Sequence, residues 1–193
     1  MKIYLIRHGE TTGDVEERYG GNYDDHLTEK GIAQSERLAK KLSKSGIQII
    51  FSSPLFRAKE TAQILKKCLK CDLRIVEDIR ERNKYGIMTG MKKSEAKQKY
   101  PEQVELLEDF RKTAKGAETY SHLKKRVTKA FRKIAGSKYD VIAVFTHAGP
   151  IRCIFREIFK LEELKHIGDC AVFELEKEGG TFSLLNADNA VFE

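Results

Sequence analysis

The sequence predicts an α/β protein, a three-layer α/β/α sandwich around a mostly parallel sheet. Three observations lead to this class. Short apolar runs at residues 3–6, 47–51 and 141–145 contain a single polar residue, Gln48, and such runs are typical of strands that are covered on both faces. Segments with the helical spacing of apolar residues lie between these runs. Near the end of the chain, Gly179-Gly180 separates two strand-like segments, which predicts a hairpin that could add an antiparallel strand.

The longer helices are predicted from capping signals and apolar periodicity. Thr28 is a candidate N-cap for an amphipathic helix that runs to about residue 45. Ser53 is expected to cap the next helix, because Pro54 then takes the first helical position. Residues 119–135 predict a helix with an apolar side toward the core and a basic side outside.

The remaining segments are shorter. Residues 73–76 predict a third strand, and residues 94–109 predict a helical segment with a break at Tyr100-Pro101. We therefore expect a single domain over residues 1–193, in which a small helical segment at about 90–118 covers part of the surface.

The composition favours anionic partners. Lys and Arg number 36 against 29 Asp and Glu, a formal net charge of +7, which does not by itself distinguish a nucleic acid from a small phosphorylated metabolite. The basic side of the helix at 119–135 lacks interleaved aromatic residues, so it is predicted to face solvent, and no nucleic-acid partner is expected. No apolar run approaches the roughly 20 residues of a membrane span, and the first residues lack a signal-peptide pattern. We expect a cytoplasmic protein with no membrane partner, and a homodimer stays open.

The four cysteines raise the question of a metal. Cys68 and Cys71 have the two-residue spacing of a zinc or redox pair. A structural zinc site needs two further ligands, whereas Cys153 and Cys170 lie singly in apolar segments. No metal site is therefore predicted.

Polar side chains follow the predicted strands at the point where each ends. Arg7 and His8 follow the first strand, and this segment alone does not distinguish a functional pair from residues that solvate a strand end. Because parallel strands bring their carboxyl ends to one edge of a sheet, we expect Arg57, Glu81 and His147 to join them. Two histidines, two arginines and a carboxylate at one edge predict a pocket for phosphoryl transfer, which depends on charge neutralisation and positioning.

Three motifs then connect the chain to a known family. The sequence resembles the histidine phosphatase superfamily, which includes the cofactor-dependent phosphoglycerate mutases. The motifs that carry this resemblance are Leu5-Ile6-Arg7-His8-Gly9-Glu10-Thr11, Ser52-Ser53-Pro54-Leu55-Phe56-Arg57-Ala58-Lys59-Glu60-Thr61-Ala62 and Thr146-His147-Ala148-Gly149. Together they extend over almost the whole chain and are highly specific.

The resemblance implies a role for each of these residues. His8 would attack phosphorus and carry the phosphoryl group as phosphohistidine, while Arg7, Arg57 and a positively charged His147 would line the phosphate pocket. Glu81 matches the proton donor of the family, and no metal is implied. The residues expected to bind substrate are Thr11, Asp14, Gly20, Gly21, Arg82 and Ala148.

Several of these positions raise specific expectations. Ala148 and Gly149 open a helix, whose free amides would hold a phosphate. Asp14 stands where the family usually has asparagine. Because an ionised aspartate cannot donate a hydrogen bond, Asp14 is expected to orient another loop residue or to discriminate among substrates. Gly20 and Gly21 stand where mutases have a threonine-glycine pair.

The identity of the acid is open at this point. The glycine that the family places about four residues after the proton donor comes one residue later here, at Gly86. Glu77 and Asp78 therefore remain alternatives to Glu81. His26, His122 and His166 match no motif and are expected in solvated loops or packing positions.

The leading hypothesis is a metal-independent phosphomonoesterase, a histidine acid phosphatase-type phosphohydrolase, acting without a cofactor on a small phosphorylated metabolite. The alternative is a phosphoglycerate mutase that requires 2,3-bisphosphoglycerate. Arg82, Lys84, Lys92 and Lys93 could supply its second anion site, whereas Gly20 and the lack of an arginine-rich insertion between residues 81 and 119 favour the hydrolase. A non-catalytic phosphate-binding module is the third hypothesis, although such a protein needs no nucleophile.

Overall fold

A six-stranded sheet forms the centre of the computed structural model, which describes residues 1–161 and 164–192. The strands are β1 (Lys2–Arg7), β2 (Ile49–Ser52), β3 (Asp72–Ile75), β4 (Val141–Thr146), β5 (Leu164–Glu178) and β6 (Thr181–Phe192). Their order across the sheet is β3-β2-β4-β1-β5-β6. The first four in this order are parallel, while β5 runs antiparallel to β1 and pairs with β6 as a hairpin. The predicted α/β class and its antiparallel addition are confirmed.

Seven α-helices lie in the described residues: α1 (Thr12–Val15), α2 (Glu29–Leu42), α3 (Phe56–Leu69), α4 (Lys93–Lys99), α5 (Pro101–Glu105), α6 (Tyr120–Ile134) and α7 (Ala148–Ile154). Short 3-10 turns occur at Glu77–Ile79, Gly86–Met88 and Leu106–Glu108, and α7 continues into a π-helical turn, Phe155–Phe159. None of the helices in residues 1–161 and 164–192 combines the length and apolar content that a membrane crossing requires.

One predicted cap is confirmed and one is wrong. The Thr28 hydroxyl accepts a hydrogen bond from the amide of Gly31 at 2.9 Å, so α2 begins where its sequence predicts, although it ends at Leu42 rather than near residue 45. Ser53 does not cap α3. That helix begins two residues later than expected, its N-cap is Leu55, and Leu55 makes no side-chain capping bond. Pro54 therefore lies outside the helix.

Helices cover both faces of the sheet. On β1, Ile3 and Leu5 point toward α6 and α7, whereas Tyr4 and Ile6 point toward α2 and α3. Because successive residues of a strand face opposite sides, both sets are buried only if each face is covered. This arrangement explains why the strand sequences show no alternation of apolar and polar residues.

The segment predicted to cover the surface contains α4, α5 and the turn Leu106–Glu108. The predicted break is present, since α4 ends at Lys99 and α5 begins at Pro101. Within this segment, Ala96 and Ala114 form a small buried cluster with Met88, which is separate from the two main clusters.

Candidate active site

A cavity of about 560 Å³ opens at the carboxyl ends of the parallel strands. The sequence-predicted residues that line it are Arg7, His8, Thr11, Asp14, Gly20, Gly21, Arg57, Glu81, Arg82 and Ala148. His147 is fully buried beside them, with its ring centroid 5.1 Å from that of His8. The fold thus brings together all the residues that the sequence motifs selected.

The surroundings of His8 favour a neutral ring with its lone pair on Nε2. Its Nδ1–H donates to the backbone carbonyl oxygen of Gly9 at 2.8 Å. A carbonyl can only accept, so the lone pair lies on Nε2, and Arg57 Nε donates to that atom at 3.3 Å. Burial, followed by the charges of Arg57 and Arg7, holds the pKa of His8 well below its ordinary value of 6.5. A nucleophilic imidazole needs this state.

Arg57 is fixed by a buried ion pair that the sequence did not reveal. Its Nη1 lies 2.8 Å from Asp25 Oδ1, and both side chains are only 4% exposed. Further donations go to the carbonyl oxygens of Tyr23 at 2.7 Å and Gly21 at 2.9 Å. Asp25 also accepts a hydrogen bond from the amide of Gly13 at 3.2 Å. Asp25 therefore ties the loop before α2 to the guanidinium.

Arg7 is held from the other side by the antiparallel strand β5. Its Nη1 donates to the carbonyl oxygen of Ile167 at 2.6 Å and lies 3.4 Å from Asp169 Oδ1. Its Nε is buried and has no hydrogen-bond partner within the described ranges. An anion in the cavity could accept from this N–H, because buried donors without a partner are costly.

Of the three residues considered as the acid, Glu81 is the one that lines the cavity. Its carboxylate accepts hydrogen bonds from the amides of Arg82 at 2.7 Å and Gly149 at 3.2 Å. Glu77 and Asp78 have side chains 68% and 52% exposed and lie outside the cavity lining. The expectation that the Gly149 amide holds a phosphate is corrected, since Glu81 already occupies that amide.

The surroundings of His147 oppose the positive charge expected of it. Burial, followed by the charges of Arg57, His8 and Arg7, holds the pKa of His147 well below its ordinary value of 6.5, which favours the neutral ring. Its Nε2 lies 2.7 Å from the Ser53 hydroxyl, and its Nδ1 is buried without a partner in the described part of the chain.

Comparison with known proteins identifies the family. The model of the histidine phosphatase superfamily (branch 1) matches residues 3–189. The chain belongs to the histidine phosphatase superfamily. It is 36% identical over 160 residues to phosphoglycerate mutase-like protein 4 of Arabidopsis thaliana, covering 80% of this chain and 69% of that protein. It is 32% identical over 163 residues to the metal-independent phosphoserine phosphatase of the same plant, covering 81% and 68%.

A solved structure with the same fold is that of a mycobacterial glucosyl-3-phosphoglycerate phosphatase in complex with VO3. It superposes with a TM-score of 0.84 at 22% identity, covering 96% of this chain and 97% of that one. The resemblance predicted from the sequence motifs is confirmed for the family and for the fold.

Asp14 departs from the superfamily pattern and acts locally. Its carboxylate accepts hydrogen bonds from the amide and the hydroxyl of Thr11, at 3.1 and 2.9 Å, while the Thr11 hydroxyl accepts from the Asp14 amide at 3.1 Å. This is a capping box at the start of α1. Asp14 thus orients another loop residue, Thr11, which is one of the two roles expected for it.

Arg82 is the best placed of the cations predicted for a second anion site. Its side chain is buried; Nε donates to the carbonyl oxygen of Glu118 at 3.0 Å, and Nη1 to that of Phe110 at 2.6 Å. Its Nη2 is buried without a partner in the described ranges. Lys84 and Lys93 also line the cavity, whereas Lys92 does not. Four lining cations were not among the residues predicted from the sequence: Arg18, Arg152, Arg156 and Lys165.

The other residues considered from sequence lie away from the cavity. All four cysteines are free thiols. His26, His122 and His166 are exposed, and the first two pair with Glu60 and Glu118. Within residues 1–161 and 164–192, no three histidine, cysteine or carboxylate side chains come together as a metal site would require.

Proposed function

We propose that this superfamily member is a metal-independent phosphomonoesterase of the histidine acid phosphatase type, which hydrolyses a small phosphorylated metabolite through a phosphohistidine on His8. The observation that carries the proposal is the neutral His8 ring, whose Nε2 lone pair faces Arg57 at the cavity. The names of the relatives give further support, since one is a phosphatase described as metal-independent. No cofactor enters this scheme.

In the first step, His8 Nε2 gives up its hydrogen bond from Arg57 Nε and attacks phosphorus, and the bond to the leaving oxygen breaks. The phosphoryl oxygens accept hydrogen bonds from Arg7 and Arg57, whose charges offset the charge of the phosphoryl group. Glu81 gives its proton to the leaving oxygen. In the second step a water attacks the phosphohistidine, Glu81 takes a proton from that water, and phosphate leaves with the His8 lone pair restored.

The substrate is expected to contact the residues that line the cavity around this centre. They are Thr11, Asp14, Gly20, Gly21, Arg82 and Ala148. We further propose that the segment at about 90–118 covers this site. Phe110 of this segment lines the cavity. Lys84, another lining residue, donates a hydrogen bond to the carbonyl oxygen of Leu107 at 2.7 Å and so holds the segment against the site.

The test uses an aryl phosphate with and without a chelator. We expect equal hydrolysis in both, because the two arginines do the work that a metal would do. Enzyme quenched during turnover of labelled substrate should carry an acid-labile, base-stable label on His8. Loss of activity with the chelator would exclude the metal-free scheme, and label on another residue would exclude His8 as nucleophile. No turnover of any phosphomonoester would favour a binding module.

A phosphoglycerate mutase is the second candidate, because the unpaired Nη2 of Arg82 and the Lys84 ammonium lie in the same cavity and could hold a second anionic group. A relative named mutase-like agrees with it. Supplying 3-phosphoglycerate with and without 2,3-bisphosphoglycerate separates the two activities. Phosphate release faster than isomerisation supports the hydrolase. Isomerisation that is faster and requires the bisphosphate would establish the mutase.

A further inference from the structure

We propose that Ser53 is a positioning residue that fixes neutral His147 in the tautomer with its proton on Nδ1, so that this N–H is offered to the phosphoryl group. The inference deepens the proposed function and rests on its use of His147 at the phosphate. Ser53 and His147 are both fully buried, and their polar atoms lie 2.7 Å apart. The question is which of the two donates.

The bonds around the Ser53 hydroxyl answer it. A hydroxyl has one proton to donate and two lone pairs that accept. The amide of Leu55 donates to Ser53 Oγ at 3.3 Å, which uses one lone pair. His147 Nε2 is the acceptor within reach of the hydroxyl proton in the described part of the chain. If His147 Nε2 donated instead, the buried Ser53 proton would have no partner.

The bonds around the imidazole lead to the same tautomer. With Nε2 as acceptor, the ring proton of neutral His147 lies on Nδ1, and that buried N–H is the one group of the pair left without a partner in the described residues. With Nε2 as donor, both the Ser53 proton and the Nδ1 lone pair would be orphaned. Since an orphaned buried polar group costs free energy, the arrangement with one orphan is favoured over the arrangement with two.

The remaining orphan belongs to a ring that lies beside the proposed nucleophile. The centroid of the His147 ring is 5.1 Å from that of His8, the residue that we propose as the nucleophile. An N–H on Nδ1 can donate to a phosphoryl oxygen without adding a third cation beside Arg7 and Arg57. Ser53 thereby supplies a neutral donor that is ready before substrate arrives, and such preorganised donors are effective in charge stabilisation.

The direct test is the imidazole nitrogen spectrum of the ¹⁵N-labelled protein near neutral pH, with the His147 signals assigned by their loss in His147→Gln. We expect a pyrrole-type signal for Nδ1 and a pyridine-type signal for Nε2. A pyrrole-type Nε2 or a doubly protonated ring would overturn the inference. Because this readout needs no turnover, it is separate from the proposed function: an inactive protein with the expected tautomer would contradict only the activity.

Substitution supplies the second test. Ser53→Ala should lower kcat/KM for an aryl phosphate by about 10- to 100-fold, since the loss of one oxyanion donor costs about 10²–10³ and the ring can still reach the correct tautomer part of the time. Ser52→Ala is the matched control: Ser52 is equally buried, but its hydroxyl donates to the Ser53 carbonyl oxygen at 3.0 Å and not to His147. The kcat/KM of Ser52→Ala should stay within about threefold of wild type, a much smaller change than the loss of one oxyanion donor causes. Equal losses in the two variants would overturn the role of Ser53.

A pH profile distinguishes positioning from a structural defect. Without Ser53, neutral His147 divides between its two tautomers, whereas the cationic ring always carries the Nδ1 proton and becomes easier to form in acid once the phosphate anion is bound. The inhibition constant of inorganic phosphate for Ser53→Ala, divided by that for wild type, should therefore rise by about threefold or more from about pH 5.5 to about pH 8. A ratio that does not change with pH would show a structural effect only. Ser53→Thr, which keeps the hydroxyl, should restore the wild-type profile if it folds; if it does not, the wild-type spectrum decides.

Discussion

Replacing Gly149 by alanine should disable the proposed acid while leaving the protein folded. A Cβ at this position would overlap Oε1 of Glu81, whereas its distance to the Arg82 Cβ, 3.6 Å, is ordinary contact. The overlapping atom is the end of a flexible side chain, so the Glu81 carboxylate would move and the backbone would not. The hydrogen bond from the Gly149 amide to Glu81, 3.2 Å long, would be lost with it.

The magnitudes for stability and activity differ. A lost hydrogen bond to a carboxylate costs about 1.5–3 kcal/mol, and alanine in place of glycine in a helix returns about 1 kcal/mol, so the free energy of unfolding should fall by about 0.5–2 kcal/mol. A displaced general acid costs about 10²–10⁴ in kcat for an alkyl phosphate. An aryl phosphate, whose leaving oxygen needs little protonation, should lose less than about tenfold.

Initial rates on both substrates and urea denaturation of the same variants test this. The control is Glu81→Gln, alone and combined with Gly149→Ala. The double variant should be no slower than Glu81→Gln, because both changes remove one acid and such effects are not additive. Equal losses on the two substrates, or losses that multiply in the double variant, would refute Glu81 as the acid. Glu77 or Asp78 would then be the candidate.

Three further predictions concern the same site. His8→Ala should lower kcat by roughly three or more powers of ten in a phosphatase assay, because no other nucleophile can replace it, and a smaller loss would contradict the covalent route. Asp25→Asn should cost about 3 kcal/mol in urea unfolding, since it leaves the buried Arg57 charge without its partner, whereas Asp188→Asn, in an exposed pair, should cost less than about 1 kcal/mol. Because the folded pKa values of His8 and His147 are depressed, the unfolded chain binds more protons below pH 6.5, and the stability present above that pH is lost as pH falls. Unfolding free energy should therefore fall less steeply from about pH 7 to about pH 5 in His147→Gln than in wild type, and equal slopes would contradict the assigned direction.

The sequence by itself determined the parts of this protein that depend on local pattern. The uninterrupted apolar run at residues 141–145 identifies a strand covered on both faces, and the spacing in Glu29–Leu42 identifies an amphipathic helix behind its Thr28 cap. Parallel strands end at one edge, so His8 and His147 could be placed together from their position after two such strands. Neither inference needs the distance between any two side chains.

Only the tertiary structure decided which atoms meet. Asp25 is one of two adjacent aspartates in a polar loop, and nothing local shows that it pairs with Arg57, 32 residues away in the chain. Ser53 has the local features of a helix cap, yet its hydroxyl lies against His147, 94 residues away. The neutral state of His147 likewise depends on its burial and on charges that come from other segments. Such contacts and pKa shifts depend on distance in space, which residue type and spacing along the chain do not contain.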